Sequence, residues 1–154
     1  MIKINVITNN VSWFLFIKNP NGYVDRKVKK LNLKSKNFKK NIIFCTLLLS
    51  DNQEIKRLNK KFRNKNKSTD VLSFPFHSKN KLKNKLKKEK EIYLGDIIIN
   101  LSKINSKKNL KFFKSYFDKL WVHGLVHLFG HDHKREKDFK KMNRIEIDYL
   151  KYIK

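Results

Sequence analysis

The feature that most constrains this chain is an eleven-residue segment near its C-terminus, His123 to His133, which holds four of the five histidines and two of the four glycines. His123 and His127 are four residues apart, so on an α-helix both imidazoles project from one face and can bind the same metal ion. Gly130 follows, and glycine at a helix C-terminus allows the positive φ that turns the chain. The segment therefore predicts a helix ending in a turn that returns His133 toward the other two histidines.

This ligand set predicts one zinc ion with an open coordination position. Histidine ligands without cysteine favour Zn²⁺, with other first-row divalent ions as alternatives, and three protein ligands leave a fourth position for water. His131 lies four residues beyond His127 and would share the ligand face if the helix continued. Because Gly130 favours a break, we expect the metal ligands to be His123, His127 and His133, with His131 beside them.

The same spacing, H-x-x-x-H-x-x-G-x-x-H, is found in the metzincin metalloproteases, whose first histidine is followed by the glutamate that acts as general base. Here that position is Gly124. The chain lacks the carboxylate that carries the proton chemistry of those proteases. A metalloprotease-like hydrolase is therefore the weakest of the functions considered.

A chain of 154 residues is long enough for a single domain, 1–154, that buries roughly 70% of its unfolded surface. The N-terminus lacks the apolar region of a signal peptide, and no apolar run approaches the ~20 residues of a membrane span. We expect a cytoplasmic protein with no membrane partner. Cys45, the only cysteine, lies in an apolar run and is expected to be a buried, inert thiol.

The net charge of +25 indicates a nucleic-acid partner, because clustered lysine and arginine displace counterions from phosphates. A second explanation stays open. The chain has no alanine, 33 lysines and 18 asparagines, which is typical of AT-rich coding sequence, so part of the charge can be compositional. The lysine-rich run Lys79–Lys90 is interpreted as a solvated insertion, with an RNA-binding arm as the alternative.

Hydrophobic periodicity predicts alternating strands and helices. The expected strands are Ile2–Thr8, Asn41–Leu49, Thr69–Phe76 and Ile97–Ile99. Pro75 cannot donate to a ladder, so the third of these strands is placed at a sheet edge. Between residues 13 and 33, one interrupted helix or two short ones fit the pattern. A capping box of Ser50 and Gln53 predicts the start of the next helix.

Three further helices are expected, over about 101–110, 111–129 and 135–153. The second is apolar almost all round, which predicts a buried central helix carrying the histidines. The last has Phe139, Met142, Glu146 and Tyr149 on one stripe. We therefore expect an α+β (α/β-like) domain in which a small mixed four-stranded sheet packs with about five helices, with the metal site on the central C-terminal helix and its exit turn.

A second informative segment couples basic residues to the edge strand. Its recognisable parts are Asn59, Phe62-Arg63, Lys65, Thr69 and Val71-Leu-Ser-Phe-Pro-Phe76. Followed by Leu94-Gly95-Asp96 and then by the histidine segment, it resembles the YbeY family of bacterial single-strand-specific endoribonucleases and rRNA maturation factors. The resemblance covers residues 59–76 and 94–142. It departs at His131, where the family usually has tyrosine, and in the lysine-rich run, where the family has a shorter, more acidic loop.

The resemblance implies that His123, His127 and His133 hold zinc and that Arg63 is a functional arginine near the metal. A guanidinium is always charged and can bind a phosphate through two parallel hydrogen bonds, stabilising charge in a phosphorane-like transition state. The alternative role for Arg63 is a surface ion pair. The residues expected to bind RNA are Lys60, Lys61, Arg63 and Lys65.

The sequence thus predicts a zinc-dependent endoribonuclease acting on single-stranded rRNA, and the resemblance implies the 3′ end of 16S rRNA, ribosome quality control, and the small ribosomal subunit with its assembly factors as partners. No DNA substrate is expected. Gly124 supplies no base, so either zinc-bound hydroxide acts without a protein base, or Asp96 or His131 moves the proton. The main alternative is a non-enzymatic ribosome assembly factor with a structural zinc. Basic charge supports both RNA functions equally.

Overall fold

The computed structural model describes residues 1–35, 40–105, 107–133 and 135–154. In chain order the strands and helices are β1 (Ile2–Thr8), α1 (Pro20–Lys34), β2 (Ile42–Ser50), α2 (Asn52–Arg63), β3 (Val71–Pro75), α3 (Lys79–Lys88), β4 (Glu91–Asn100), α4 (Leu110–Leu128) and α5 (Glu136–Tyr152). Short 3₁₀ turns occupy Val11–Leu15 and Leu101–Lys103. Within the described residues there are one four-stranded sheet and five α-helices, so the predicted α+β class is confirmed.

The four strands form one mixed sheet in the order β1-β2-β4-β3. Strands β1, β2 and β4 are parallel to one another, and β3 pairs antiparallel with β4 at one edge of the sheet. The last residue of β3 is Pro75, opposite Gly95, so the predicted edge position of this proline is confirmed.

The two faces of the sheet are covered very differently. One face packs against α1, α4 and α5 around the main core, which includes Cys45 at 2% exposure. Burial raises the pKa of that thiol to about 12, as expected for an inert cysteine. The other face carries α2 over a small cluster of Ile55, Leu72 and Ile98. The rest of this second face, which we call the open face, is accessible to water at Lys3.

A glycine bulge in β4 changes which side chains share the open face. Gly95 has φ +130°, and a Cβ there would lie 2.1 Å from the Phe74 carbonyl oxygen. The pairing of β2 with β4 shifts at this point, so that Tyr93 and Asp96, three residues apart, lie on one face. The Tyr93 hydroxyl donates to Asp96 Oδ1 at 2.6 Å.

The run Lys79–Lys90 is exposed along most of its length, as predicted for a solvated insertion, but it is not a loop, because residues 79–88 form α3. Leu82 is 2% exposed, and Leu86 packs against the main core. Leucines four residues apart share one face of a helix, so two apolar side chains are enough to dock this lysine-rich segment. The lysines occupy the remaining faces of α3.

Two predicted helix starts also need correction. The N-cap of α2 is Asp51, whose side chain accepts hydrogen bonds from the Gln53 and Glu54 amides, while Ser50 remains in β2. The helix expected over about 101–110 is reduced to the 3₁₀ turn at its start, and residue 106 of that range lies outside the described residues. Asn109 instead caps α4 by accepting from two amides of its first turn.

The strand predicted at 97–99 starts earlier than expected, at Glu91. On α5, Met142 and Tyr149 are buried as the stripe predicted, whereas Phe139 is exposed. Among the described residues, no helix is both long and apolar enough to span a membrane.

Candidate metal centre

The scaffold of the site is α4, whose buried side chains fix it against the sheet. Trp121 and Leu125 are fully buried in the main core. Gly124 faces Ile97, and a Cβ at position 124 would lie 2.6 Å from Cγ2 of that isoleucine. The helix therefore approaches the sheet too closely for any side chain at 124. His123 and His127, four residues apart, are left half-buried at the surface of the core.

The end of α4 is the glycine turn predicted from the sequence. Gly130 has φ +82°, and its amide donates to the His127 carbonyl at 2.8 Å. A Cβ at Gly130 would lie 3.1 Å from side-chain atoms of Lys79, so the turn also lies against α3. Only glycine adopts this conformation without strain, and the turn brings His133 back over α4.

The turn assembles the three histidines that the sequence singled out. His123, His127 and His133 each offer one ring nitrogen, and these atoms all lie within 4.8 Å of one another. The His123 and His127 rings are nearly perpendicular, and their Nε2 atoms are 3.1 Å apart. His131 is not a member of this cluster.

Each of the two helical histidines is oriented by a hydrogen bond at Nδ1. His127 Nδ1 lies 2.9 Å from the His131 carbonyl oxygen, and His123 Nδ1 lies 2.9 Å from Glu146 Oε1. A carbonyl oxygen and an ionised carboxylate can both only accept a hydrogen bond. The Nδ1 atoms of both histidines must therefore carry the proton and donate it. Both Nε2 atoms then present lone pairs to each other.

The close approach of these two lone pairs shows whether the site suits a metal ion. Two unprotonated nitrogens 3.1 Å apart repel unless a cation lies between or beside them. Burial, together with the neighbouring His123, lowers the pKa of His127 to about 4, so this imidazole is neutral at pH 7, as a metal ligand must be. The donor set fits a metal ion bound through Nε2 of both helical histidines.

Glu146 is a neighbour of the histidine group that the sequence did not predict. The sequence places it on the stripe of α5 with Met142 and Tyr149 and indicates no role for it in the site. Its carboxylate instead reaches α4 and orients His123. An acidic residue on an otherwise apolar stripe was the available indication, since such a side chain needs a partner when it faces another helix.

A cleft of about 860 Å³ connects the histidines to the basic segment. Its lining includes His127, His131 and His133, which we call the histidine wall. The same cleft is lined by Arg63, Lys65 and Phe76, which we call the basic wall. The structure thus brings the predicted phosphate-binding arginine into the same cleft as two of the predicted metal ligands.

Arg63 is the last residue of α2, which ends where Asn64 adopts a left-handed conformation with φ 55°. Arg63 Nη2 donates to the Ser73 carbonyl at 2.9 Å, and the guanidinium carbon lies 5.7 Å from the centroid of the Phe74 ring. In the part of the chain that the structure describes, Arg63 forms no ion pair. The alternative role as half of a surface ion pair therefore has no support here.

The other predicted site residues are divided between the cleft and more distant surfaces. Lys65 lines the cleft, whereas Lys60 and Lys61 line a separate depression along α2. Asp96 follows the bulge on the open face. Its neighbour Ile97 faces α4, so the alternation of a strand directs Asp96 away from the histidines.

His131 has two relations to the site. Its backbone carbonyl orients His127, and its side chain lines the cleft. Burial, with smaller contributions from Lys141 and Lys79, lowers the pKa of its imidazole. Of the two proton carriers considered from the sequence, His131 is the one that the structure places in the cleft.

Fold and site together define a class of protein: an α+β domain in which a three-histidine group that could hold a metal ion lies beside a basic cleft. A family model described as Endoribonuclease YbeY matches residues 18–154. The chain belongs to the YbeY endoribonuclease family.

Its relatives include the endoribonuclease YbeY of Pelagibacter ubique strain HTCC1062, 44% identical over 156 aligned residues that cover 100% of this chain and 97% of the relative. The endoribonuclease YbeY of Thermodesulfovibrio yellowstonii is 33% identical, covering 84% of this chain and 77% of the relative. A solution structure of a Thermotoga maritima protein superposes with TM-score 0.59 at 21% identity, covering 98% of this chain and 89% of the other. This last likeness supports the fold alone.

Proposed function

We propose that residues 1–154 form a single-domain, zinc-dependent endoribonuclease that cleaves single-stranded RNA. The observation that carries the proposal is the shared cleft, which is lined both by Arg63 and by the histidine wall. RNA phosphodiesters supply the anionic group that a guanidinium binds. Relatives named Endoribonuclease YbeY support the reaction class.

The proposal assigns each residue a role in the reaction. His123, His127 and His133 would hold the zinc ion, which when bound lowers the pKa of a coordinated water and polarises a phosphoryl oxygen. Arg63 binds the scissile phosphate and stabilises the negative charge that builds on it. Because Lys65 lines the same cleft, it binds a neighbouring phosphate.

Orientation and proton transfer fall to residues around the ligands. Glu146 and the His131 carbonyl keep the Nδ1 protons of His123 and His127 in place, so that Nε2 faces the metal. The His131 imidazole lines the cleft and moves the proton between the attacking water and solvent. Asp96, on the open face, has no part in this scheme.

The substrate in the cell is proposed to be rRNA, at the 3′ end of the 16S molecule, with a further role in ribosome quality control. The small ribosomal subunit and its assembly factors would then be the partners. A cytoplasmic location belongs to the same proposal. Support comes from family membership and from the net charge of +25.

A protease is disfavoured by the packing of α4. The position that would hold a general-base glutamate is Gly124, where even a Cβ would lie 2.6 Å from Ile97 Cγ2. A glutamate there cannot be accommodated without moving the helix that carries the ligands.

The test is cleavage of unstructured RNA by zinc-loaded protein, with zinc content measured in the same samples. Arg63→Ala should lower kcat/KM by about 100- to 1,000-fold, the loss typical of removing one donor to a developing anion, while zinc content stays unchanged. Arg57→Ala is the matched control, because Arg57 lies on the same helix, faces away from the cleft and pairs with Glu54.

Two outcomes would contradict the proposal. Zinc-loaded wild-type protein that does not cleave RNA would favour the assembly factor with a structural zinc. The same conclusion would follow if Arg63→Ala cleaved as fast as Arg57→Ala but lost binding to pre-ribosomal particles.

A further inference from the structure

Phe76 is a large apolar side chain exposed in a cleft whose other contributors are mostly polar or charged. It is 68% exposed, and it lines the cleft with Arg63 and the histidine wall. Single exposed apolar residues are common on proteins, so exposure alone indicates nothing. The informative observation is that Phe76 lines the same cleft as the proposed phosphate-binding and metal-binding groups.

The ring of Phe76 is also held in place. Its residue follows Pro75, and its amide donates to the Leu94 carbonyl at 2.8 Å. The ring packs nearly perpendicular to those of His77, at a centroid distance of 4.9 Å, and Tyr93, at 5.7 Å. These edge contacts restrict the ring although most of its surface meets solvent.

Tyr93 extends this support onto the open face. Its hydroxyl is hydrogen-bonded to Asp96 Oδ1 at 2.6 Å and lies 3.1 Å from the Thr46 hydroxyl. The Gly95 bulge is what places Tyr93 and Asp96 on the same face. The exposed ring of Phe76 therefore rests on a fixed aromatic neighbour.

Unpaired RNA is the form of substrate that such a ring can recognise. In a duplex the faces of the bases are covered by their neighbours, whereas an unpaired base can stack on an aromatic side chain. A basic residue for the phosphate and an aromatic ring for the base are the two parts of a single-strand binding site. Arg63 and Phe76 supply both within one cleft.

We infer that Phe76 stacks on a base next to the scissile phosphate and thereby gives the cleft its preference for unpaired RNA. The inference rests on the proposed function, since it needs RNA in the cleft. It adds the residue that binds the base and the reason why a paired substrate is disfavoured. Phe76 is a substrate-binding residue in this scheme, and Tyr93 is a positioning residue that acts through it.

The test measures stacking separately from cleavage. Zinc-loaded protein is mixed with a short unpaired RNA that carries 2-aminopurine at successive positions, and fluorescence is recorded in a stopped-flow instrument before cleavage. Stacking quenches this base, so wild type should quench it at one or two adjacent positions. Phe76→Ala and Phe76→Leu should both lose the quenching, and Phe76→Trp should keep it.

The same variants should differ in binding and in substrate preference. Phe76→Ala should bind the unpaired RNA about 5- to 20-fold more weakly, as expected from the loss of one stacked base. Its preference for unpaired over paired RNA of the same sequence, measured as the ratio of kcat/KM values, should fall by a similar factor. Zinc content and the unfolding temperature should stay unchanged because the side chain is mostly exposed.

Phe112→Ala is the matched control. Phe112 is 63% exposed, comparable with Phe76, and it lies in the first turn of α4, outside the cleft. Wild-type quenching and preference in Phe76→Ala would overturn the inference while leaving the proposed function intact, and so would equal losses in Phe112→Ala. Quenching that depends on Phe76 in a protein that does not cleave RNA would support the stacking site and refute the proposed reaction.

Discussion

The two walls of the cleft are built in opposite ways. The histidine wall begins at His127 on α4, whose Trp121 and Leu125 are fully buried and whose Gly124 contacts the sheet, and it continues through the Gly130 turn to His131 and His133. In the basic wall, Arg63 and Lys65 are exposed, and the hydrogen bond to Ser73 fixes the guanidinium by one of its five donors. Packing thus sets the positions of the two helical histidines proposed as metal ligands, whereas Arg63 and Lys65 present their charges to water. The first wall should be sensitive to geometry and the second to charge and salt.

The largest effect is expected from removing a ligand in the histidine wall. His127→Ala deletes a metal ligand and the bond to the His131 carbonyl, so zinc binding and RNA cleavage should be lost together. Cleavage should fall by at least about 1,000-fold, since a metal contributes several kcal/mol to charge stabilisation. Zinc content by atomic absorption and cleavage rate would be measured on the same preparation. Nuclease activity that survives complete loss of zinc would refute the role of the histidine wall.

Weakening the orientation of a ligand should have a smaller effect. Glu146→Gln keeps the shape and an acceptor oxygen but removes the charge that fixes the His123 tautomer. Zinc affinity should fall about 10- to 100-fold, the usual cost of changing such a partner. Competition with a fluorescent chelator would measure it. Glu136→Gln is the control, because Glu136 lies on the same helix, is exposed and pairs with Lys140. An equal loss of zinc affinity in both variants would show that Glu146 has no specific role at the site.

Much of this arrangement was predictable because it depends on local spacing. The four-residue spacing of His123 and His127 on a helix, followed by Gly130, determines how the three histidines can converge, and the structure brings them together as expected. Pro75 likewise predicted an edge strand from its missing amide hydrogen. In these cases the deciding interaction lies within a few residues of the motif.

The features that sequence reasoning missed depend on contacts between distant segments. Glu146 orients His123 across 23 residues, which no local pattern encodes. Asp96 was considered as a proton carrier, but the bulge at Gly95 and the contact of Ile97 with α4 set its side on the sheet. Helix α3 is stabilised by the docking of Leu82 and Leu86 against the main core. The two leucines are evident in the sequence, but the lysines around them made a loop the simpler prediction.

A methyl group inserted behind the histidine wall should show how far it depends on packing. Gly124→Ala would place a Cβ 2.6 Å from Ile97 Cγ2, and overpacking of this kind costs about 1–3 kcal/mol, partly offset by ~1 kcal/mol of helix propensity. We expect a net loss of up to about 2 kcal/mol in the free energy of unfolding, measured with urea. Combining it with Ile97→Ala should cost less than the sum of the two single changes. A Gly124→Ala variant at least as stable as wild type would show that α4 can move.

The smallest effect, and the most specific to the basic wall, is expected from a single lysine. Lys65→Ala removes one charge from the cleft, whereas Lys61→Ala removes one from the outer surface of α2. For unpaired RNA each phosphate contact contributes about 0.7 to the slope of log affinity against log salt concentration. Binding measured across a salt series should therefore lose about that much slope in Lys65→Ala and none in Lys61→Ala. Equal losses would mean that RNA also crosses the outer surface of α2, so that the basic wall is only part of a wider electrostatic surface.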